Sequence, residues 1–213
     1  MALESTIKTL LLQGLRRQDD ILKEYASDGV VKILKQHGVA AAGLGAVTGM
    51  VTGVGATAAA VAAIGVTWSM YFRINNELNL KFSKVSVKSI ASAVITNMIT
   101  NIAGLVGTTV LATLVSFIPA VGNAASAMIS AAMDYAIVIA AGIVYMNIIS
   151  AWTKNNMNPS NMSEEEIKKA VEQGINETNV KEIIKAARKD YVKARKSGDV
   201  TGQERVDILE DDE

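Results

Sequence analysis

The sequence predicts an all-α protein: apolar helical hairpins, integral to or associated with a membrane, between an amphipathic N-terminal helix and a C-terminal helical pair. Three observations predict it. Only six formal charges (Arg73, Glu77, Lys81, Lys84, Lys88 and Asp134) fall between Gln36 and Thr153, while the flanks hold all the others. Ser89 to Met133 is a charge-free run, longer than the ~20 apolar residues that span a bilayer. Aromatic residues make up only 5% of the chain and there are two prolines, a balance that favours helices over sheets.

The chain divides by composition into residues 1–35, 36–153, 154–198 and 199–213. In the first stretch Leu3, Ile7, Leu10, Leu11 and Leu15, then Ile21, Leu22 and Tyr25, recur at helical spacing, giving one or two amphipathic helices interrupted at Asp28-Gly29. They either pack on the rest of the protein or lie on a bilayer surface. The apolar stretch begins after His37-Gly38. Ala41, Gly45, Gly49, Gly53 and Thr57 fall four apart and would line one helix as a ridge of small residues, along which a second helix can approach closely. Gly53-Val-Gly55 is also a point at which this block could divide.

From Ala56 a helix runs through Trp68 and Tyr71 towards Asn79, a residue that tolerates the left-handed conformation of helix ends. Ser83 is suited to cap the next helix, whose first turns carry Lys84 and Lys88, where the helix dipole disfavours cations. Lipid phosphate is one group that Arg73, Lys84 and Lys88 could serve; ordinary solvated side chains are the other reading. Pro119 and Gly122 mark a tight turn between the helices 89–118 and 124–152, which form a hairpin. Asp134 is the lone charge deep in the third helix, and an acid there is functional if the helix lies in a bilayer, or simply bonded to neighbours if it lies in a bundle.

Asn155 to Asn161 reads as a linker. Ser163 and Glu166 form a capping box opening a helix to Gly174. A second helix starts at Asn179, carries Val180, Ile183, Ile184, Ala187 and Tyr191 on one side with Arg188 among the cations placed elsewhere, and ends at Gly198. Residues 199–213 hold seven acids and one arginine and are expected to be disordered.

Catalytic signals are missing. There is no phosphate-binding Gly-x-x-x-x-Gly-Lys-Ser/Thr motif, no Cys, and a single His37 without the context of a triad, so no catalytic residue, cofactor or metal site is expected and the chain does not read as an enzyme. The net charge of zero provides no field for nucleic acid. Met1 to Asp20 lacks the pattern of a secretory signal.

Trp68-Ser-Met-Tyr-Phe-Arg73-Ile-Asn-Asn-Glu77-Leu-Asn-Leu-Lys-Phe-Ser83, Leu114-Val-Ser-Phe-Ile-Pro119-Ala-Val-Gly122-Asn-Ala and Met133-Asp-Tyr-Ala resemble the domain-of-unknown-function 697 family over roughly residues 56–150. Its members are helical, membrane-associated bacterial domains, some fused behind Era-like GTPase domains. The Ile-Pro-x-Val-Gly turn is the best element of the likeness. The chain departs from the pattern at Asn79, where a Tyr-Gly pair often ends the helix, and at Gly53-Val-Gly55, where Pro-Gly is usual; it carries no GTPase motif, and the family offers no catalytic residues to transfer.

The resulting expectation is a binding or scaffold protein at the cytoplasmic face of the bacterial inner membrane, with the lipid bilayer and a protein partner or a second copy of itself as ligands. The alternatives are a pore-forming or toxin-like protein that inserts after synthesis, and a soluble, cytoplasmic, self-assembling bundle.

Overall fold

The computed structural model describes residues 2–14, 26–48, 56–106 and 123–200. Among them are seven α-helices and no strand: α1 (Ala2–Gly14), α2 (Asp28–Thr48), α3 (Ala56–Glu77), α4 (Lys84–Val106), α5 (Asn123–Lys154), α6 (Glu164–Glu177) and α7 (Val180–Ser197), with one 3-10 turn at Pro159–Asn161.

The helix ends follow from local chemistry. Ser27 opens α2 by accepting the Val30 amide at 3.2 Å, and Ser83 opens α4 by accepting the Ser86 amide at 3.1 Å. The Ser163–Glu166 capping box opens α6 as predicted. Asn79 and Gly198 take positive φ, and the amides of Leu80 and Asp199 then bond the Asn75 and Ala194 carbonyls at 2.8 and 2.9 Å, closing α3 and α7 as the sequence predicts. Asn156, read only as part of a linker, closes α5 in the same way through Met157 N–H to Trp152 C=O at 2.9 Å.

α5 is the axis of the molecule. Its residues from Tyr135 to Trp152 are almost all buried, and they belong to a single core that draws on every other helix. α3 runs parallel to it: Tyr71 stacks on Tyr145 with ring centroids 3.8 Å apart, the Tyr71 hydroxyl donates to the Ala141 carbonyl at 2.8 Å, and the Tyr145 hydroxyl donates to Asn75 Oδ1 at 2.6 Å. Both phenols have every polar need met while contributing their rings to the core, and burial pushes both of their pKa values up. α2 and α4 run antiparallel to α3, as His37–Ser69 and the Lys84–Phe72 and Lys88–Trp68 contacts show. α6 and α7 follow one another back along α5, with Gly174 against Ile148 and Tyr191 5.0 Å from Tyr135.

Several sequence readings are revised by the structure. α2 runs unbroken through His37 and Gly38, across the change of composition between residues 35 and 36. His37 is fully buried with Nδ1–H donating to the Ile33 carbonyl at 2.8 Å and Nε2 3.2 Å from Ser69 Oγ. Gly174 does not end α6; the helix runs on to Glu177, and Thr178 caps it by donating its hydroxyl to the Gly174 carbonyl. Arg188 is 6% exposed, in the same stripe as Ile184 and Tyr191, since i+4 and i−3 positions share a face. The acidic stretch assigned to 199–213 likewise starts with a packed residue: Val200 is buried and its carbonyl accepts from Arg195 Nη1 at 3.1 Å.

The small-residue ridge is redistributed. Ala41 and Gly45 lie on α2, with Ala41 buried, and Thr57 lies on α3, so the ridge does not line one helix; Gly49 and Gly53 fall outside the described residues. Close helix approach occurs at other glycines. A Cβ on Gly38 would meet the Tyr135 ring and Ile139 at 2.9 Å, and one on Gly142 would lie against the Leu34 methyl group. These two positions seat α2 on α5 from opposite sides of one seam. Gly65, with nothing within 4 Å, has no such role.

Gly38→Ala and Gly142→Ala are therefore each expected to destabilise the fold by about 1–3 kcal/mol through overpacking, whereas Gly65→Ala is expected to be neutral or to stabilise by up to ~1 kcal/mol through helix propensity. Urea unfolding of the three variants beside the parent checks this, and equal midpoints for Gly38→Ala and Gly65→Ala would remove the packing argument.

Candidate functional site

α3 and α4 form an antiparallel pair whose outer surface carries two matched rows. Trp68 and Phe72 are four residues apart on α3, Lys84 and Lys88 four apart on α4, and such pairs project from one face. The Lys84 ammonium sits 5.2 Å from the Phe72 ring centroid and the Lys88 ammonium 5.6 Å from that of Trp68. A cation over an exposed aromatic face gains ~0.5–1 kcal/mol, about what a cation loses in the first turns of a helix. The aromatic rings thus account for the placement of both lysines near the start of α4 without a ligand. Both ammonium groups remain exposed, so each keeps bonding capacity on the side away from the ring. Arg73, half-buried one residue beyond Phe72, completes the predicted trio on the same hairpin.

The turn that joins these helices is pinned to the linker after α5. The Ser83 amide donates to Ser160 Oγ at 3.0 Å, the Ser86 hydroxyl donates to the Pro159 carbonyl at 3.3 Å, and Phe82 lies edge-on to Trp152 with centroids 6.4 Å apart. Residues far apart in sequence are thereby fixed at one end of the bundle. The pairing of Trp68 and Phe72 with the lysines was open to sequence reasoning: two i, i+4 pairs facing one another across a short turn are the signal. The junction with Pro159 and Ser160 had no such signal, because a linker's docking place depends on tertiary packing. The predicted turn residues Pro119 and Gly122 lie outside the described residues.

Asp134 is the second feature of note. It is half-buried on α5, and burial alone pushes its pKa from 3.8 up to about 7, with no cation among the described residues to hold it down. Its carboxyl is shielded from water by burial, and no group of three or more His, Cys, Asp or Glu side chains that could hold a metal ion occurs among the described residues. Arg188 is comparable: its Nε is buried without a hydrogen-bond acceptor, and burial lowers its pKa.

Comparison with family models, with curated proteins and with solved structures finds no match for this chain. Residues 127–154 of α5 are long and apolar enough to cross a membrane, and 71% of their most apolar window is buried in the bundle, the environment of a core helix.

A carboxyl whose pKa is higher in the fold than in the open chain binds its proton more tightly when folded, so its contribution is most favourable below pH ~4 and is lost as pH rises towards 7. The rise from 3.8 to about 7 corresponds to at most ~4 kcal/mol. Asp134→Asn is expected to be clearly more stable than the parent at pH 8 and close to it at pH 4, as read by urea unfolding at the two pH values. An unchanged difference between them would mean that Asp134 ionises as freely in the fold as outside it.

Proposed function

We propose that this protein is a non-catalytic helical scaffold that binds the anionic, cytoplasmic face of a bacterial inner membrane as a peripheral protein, keeping α5 as the core of its own bundle. The observation that carries the reading is the exposed cationic row Lys84–Lys88, each ammonium held over an aromatic ring. Juxtamembrane lysines each gain about 1 kcal/mol near an anionic lipid surface. The burial of α5 supports peripheral association over insertion: its Tyr145 hydroxyl donates to Asn75, its Ala141 carbonyl accepts from Tyr71, and an ionised Asp134 at bilayer depth would cost several kcal/mol. Likeness to a membrane-associated family points the same way. Scaffolding of a protein partner or of a second copy would fall to the remaining helices.

A second reading has its own support. Among the described residues α5 alone is long and apolar enough to span, so release of its sheath would convert the bundle into an inserting protein.

Vesicle co-sedimentation tests the first reading. The parent is expected to bind vesicles containing phosphatidylglycerol and not those of phosphatidylcholine alone, to be released by 0.5 M salt, and to weaken about tenfold or more on Lys84→Glu with Lys88→Glu. Binding that ignores lipid charge overturns it; binding that resists salt and carbonate, together with dye release, favours insertion.

A further inference from the structure

Three large apolar side chains stand exposed among the described residues: Leu12 at 42%, Val85 at 77% and Met157 at 44%. Two of the three occupy the same end of the bundle. Val85 is in the first turn of α4, and Met157 follows the left-handed Asn156 that closes α5. The segments carrying them are joined by the Ser83–Ser160 and Ser86–Pro159 hydrogen bonds. Neither side chain serves the core, whose nearby positions are filled by Val87, Ile90 and Trp152.

The surroundings are cationic. Lys81, Lys84, Lys88 and Lys154 are exposed at this end, against Glu77. The acids that begin α6 are already engaged: Glu164 and Glu165 pair with Lys168 and Lys169 at 3.0 and 3.4 Å, and the Glu166 carboxylate accepts from Ser163. An apolar tip framed by lysines fits a surface that is anionic outside and apolar just beneath, which is the construction of a phospholipid headgroup layer.

We infer that this end, formed by the α3–α4 turn and the α5–α6 linker, is the edge that enters the membrane, with Val85 and Met157 reaching below the phosphates and Lys81, Lys84, Lys88 and Lys154 contacting them. The inference rests on the membrane reading given above and adds the orientation: α5 stands end-on to the bilayer, with the helix ends at 77–84 and 154–164 facing lipid and the amphipathic α6 and α7 extending away from it. An acidic protein surface would satisfy the lysines but offers no layer for the two apolar tips.

The full chain, free of cysteine, is suited to the test. Val85→Asp and Met157→Asp are each expected to weaken binding to phosphatidylglycerol-containing vesicles about tenfold, with unchanged thermal unfolding because both positions are exposed, whereas Leu12→Asp leaves binding within about twofold. Val85→Cys and Met157→Cys, labelled with an environment-sensitive dye, should shift to the blue on vesicle addition, and Leu12→Cys should not. If the parent binds vesicles but the Val85 and Met157 variants bind equally well and their probes stay in water, this edge is wrong while the membrane reading stands. If the parent binds no vesicle, both fall. A dimer in free solution that is lost on Val85→Asp would assign the surface to a second copy of the chain and overturn the lipid assignment.

Discussion

The close seating of α2 on α5 is the constraint on which the rest of the arrangement depends. Gly38 lies against Tyr135 and Ile139, and Gly142 against Leu34, so each helix supplies a missing side chain where the other supplies a bulky one. With that seam closed, His37 is sealed between α2 and α3 and its two ring nitrogens are fixed by Ile33 and Ser69. α3 is then held alongside α5, which brings Tyr71 onto Tyr145 and Asn75 under the Tyr145 hydroxyl. A looser seam would leave those polar atoms buried without partners, each at a cost of ~1–3 kcal/mol.

An apolar helix of 32 residues can be covered by lipid or by other helices, and here amphipathic neighbours cover it. α6 and α7 place Ile167, Val171, Ile175, Ile183, Ile184 and Tyr191 inward and direct most of their charges to water. α1 adds Leu3, Ile7, Leu10 and Leu11, and is tied to α2 by the exposed pair Lys8–Asp28 and the partly buried pair Lys35–Glu4, which contribute about 1 kcal/mol or less each. The apolar surfaces do the holding. The charges that do reach the interior, Asp134 and Arg188, are held there at a cost, as the direction of both pKa shifts shows.

The same packing separates two ends of the molecule. At one end, two chain reversals are stitched together by serine hydroxyls and leave lysines, Val85 and Met157 facing outward. Under the proposed membrane reading, that combination of cationic rim and apolar tip would give the protein a direction with respect to an anionic surface, and it arises without any chemistry beyond capping, cation–π contact and exposure.

Much of the fold was legible in the residues. The three- and four-residue spacing of Leu3, Ile7, Leu10 and Leu11 and of Ile183, Ile184, Ala187 and Tyr191 determined the buried faces of α1 and α7, because a helix has only one geometry in which those positions coincide. Ser83, the Ser163–Glu166 box, Asn79 and Gly198 determined helix ends, because capping is a contact within a few residues. The cations Arg73, Lys84 and Lys88 were legible as a group on one hairpin, though not the rings beneath two of them. What only the tertiary structure decided is which surfaces meet. A regular spacing of small residues suggested a ridge along Ala41, Gly45, Gly49, Gly53 and Thr57; among the described residues close approaches lie at Gly38, Gly142 and Gly174, since a glycine becomes a contact point only through the bulky residue that another helix sets against it. Arg188 and Val200 are buried, and the α5–α6 linker is docked on the start of α4, for the same reason: burial and long-range hydrogen bonding are properties of pairs of segments, and a single chain read in order contains only one member of each pair at a time.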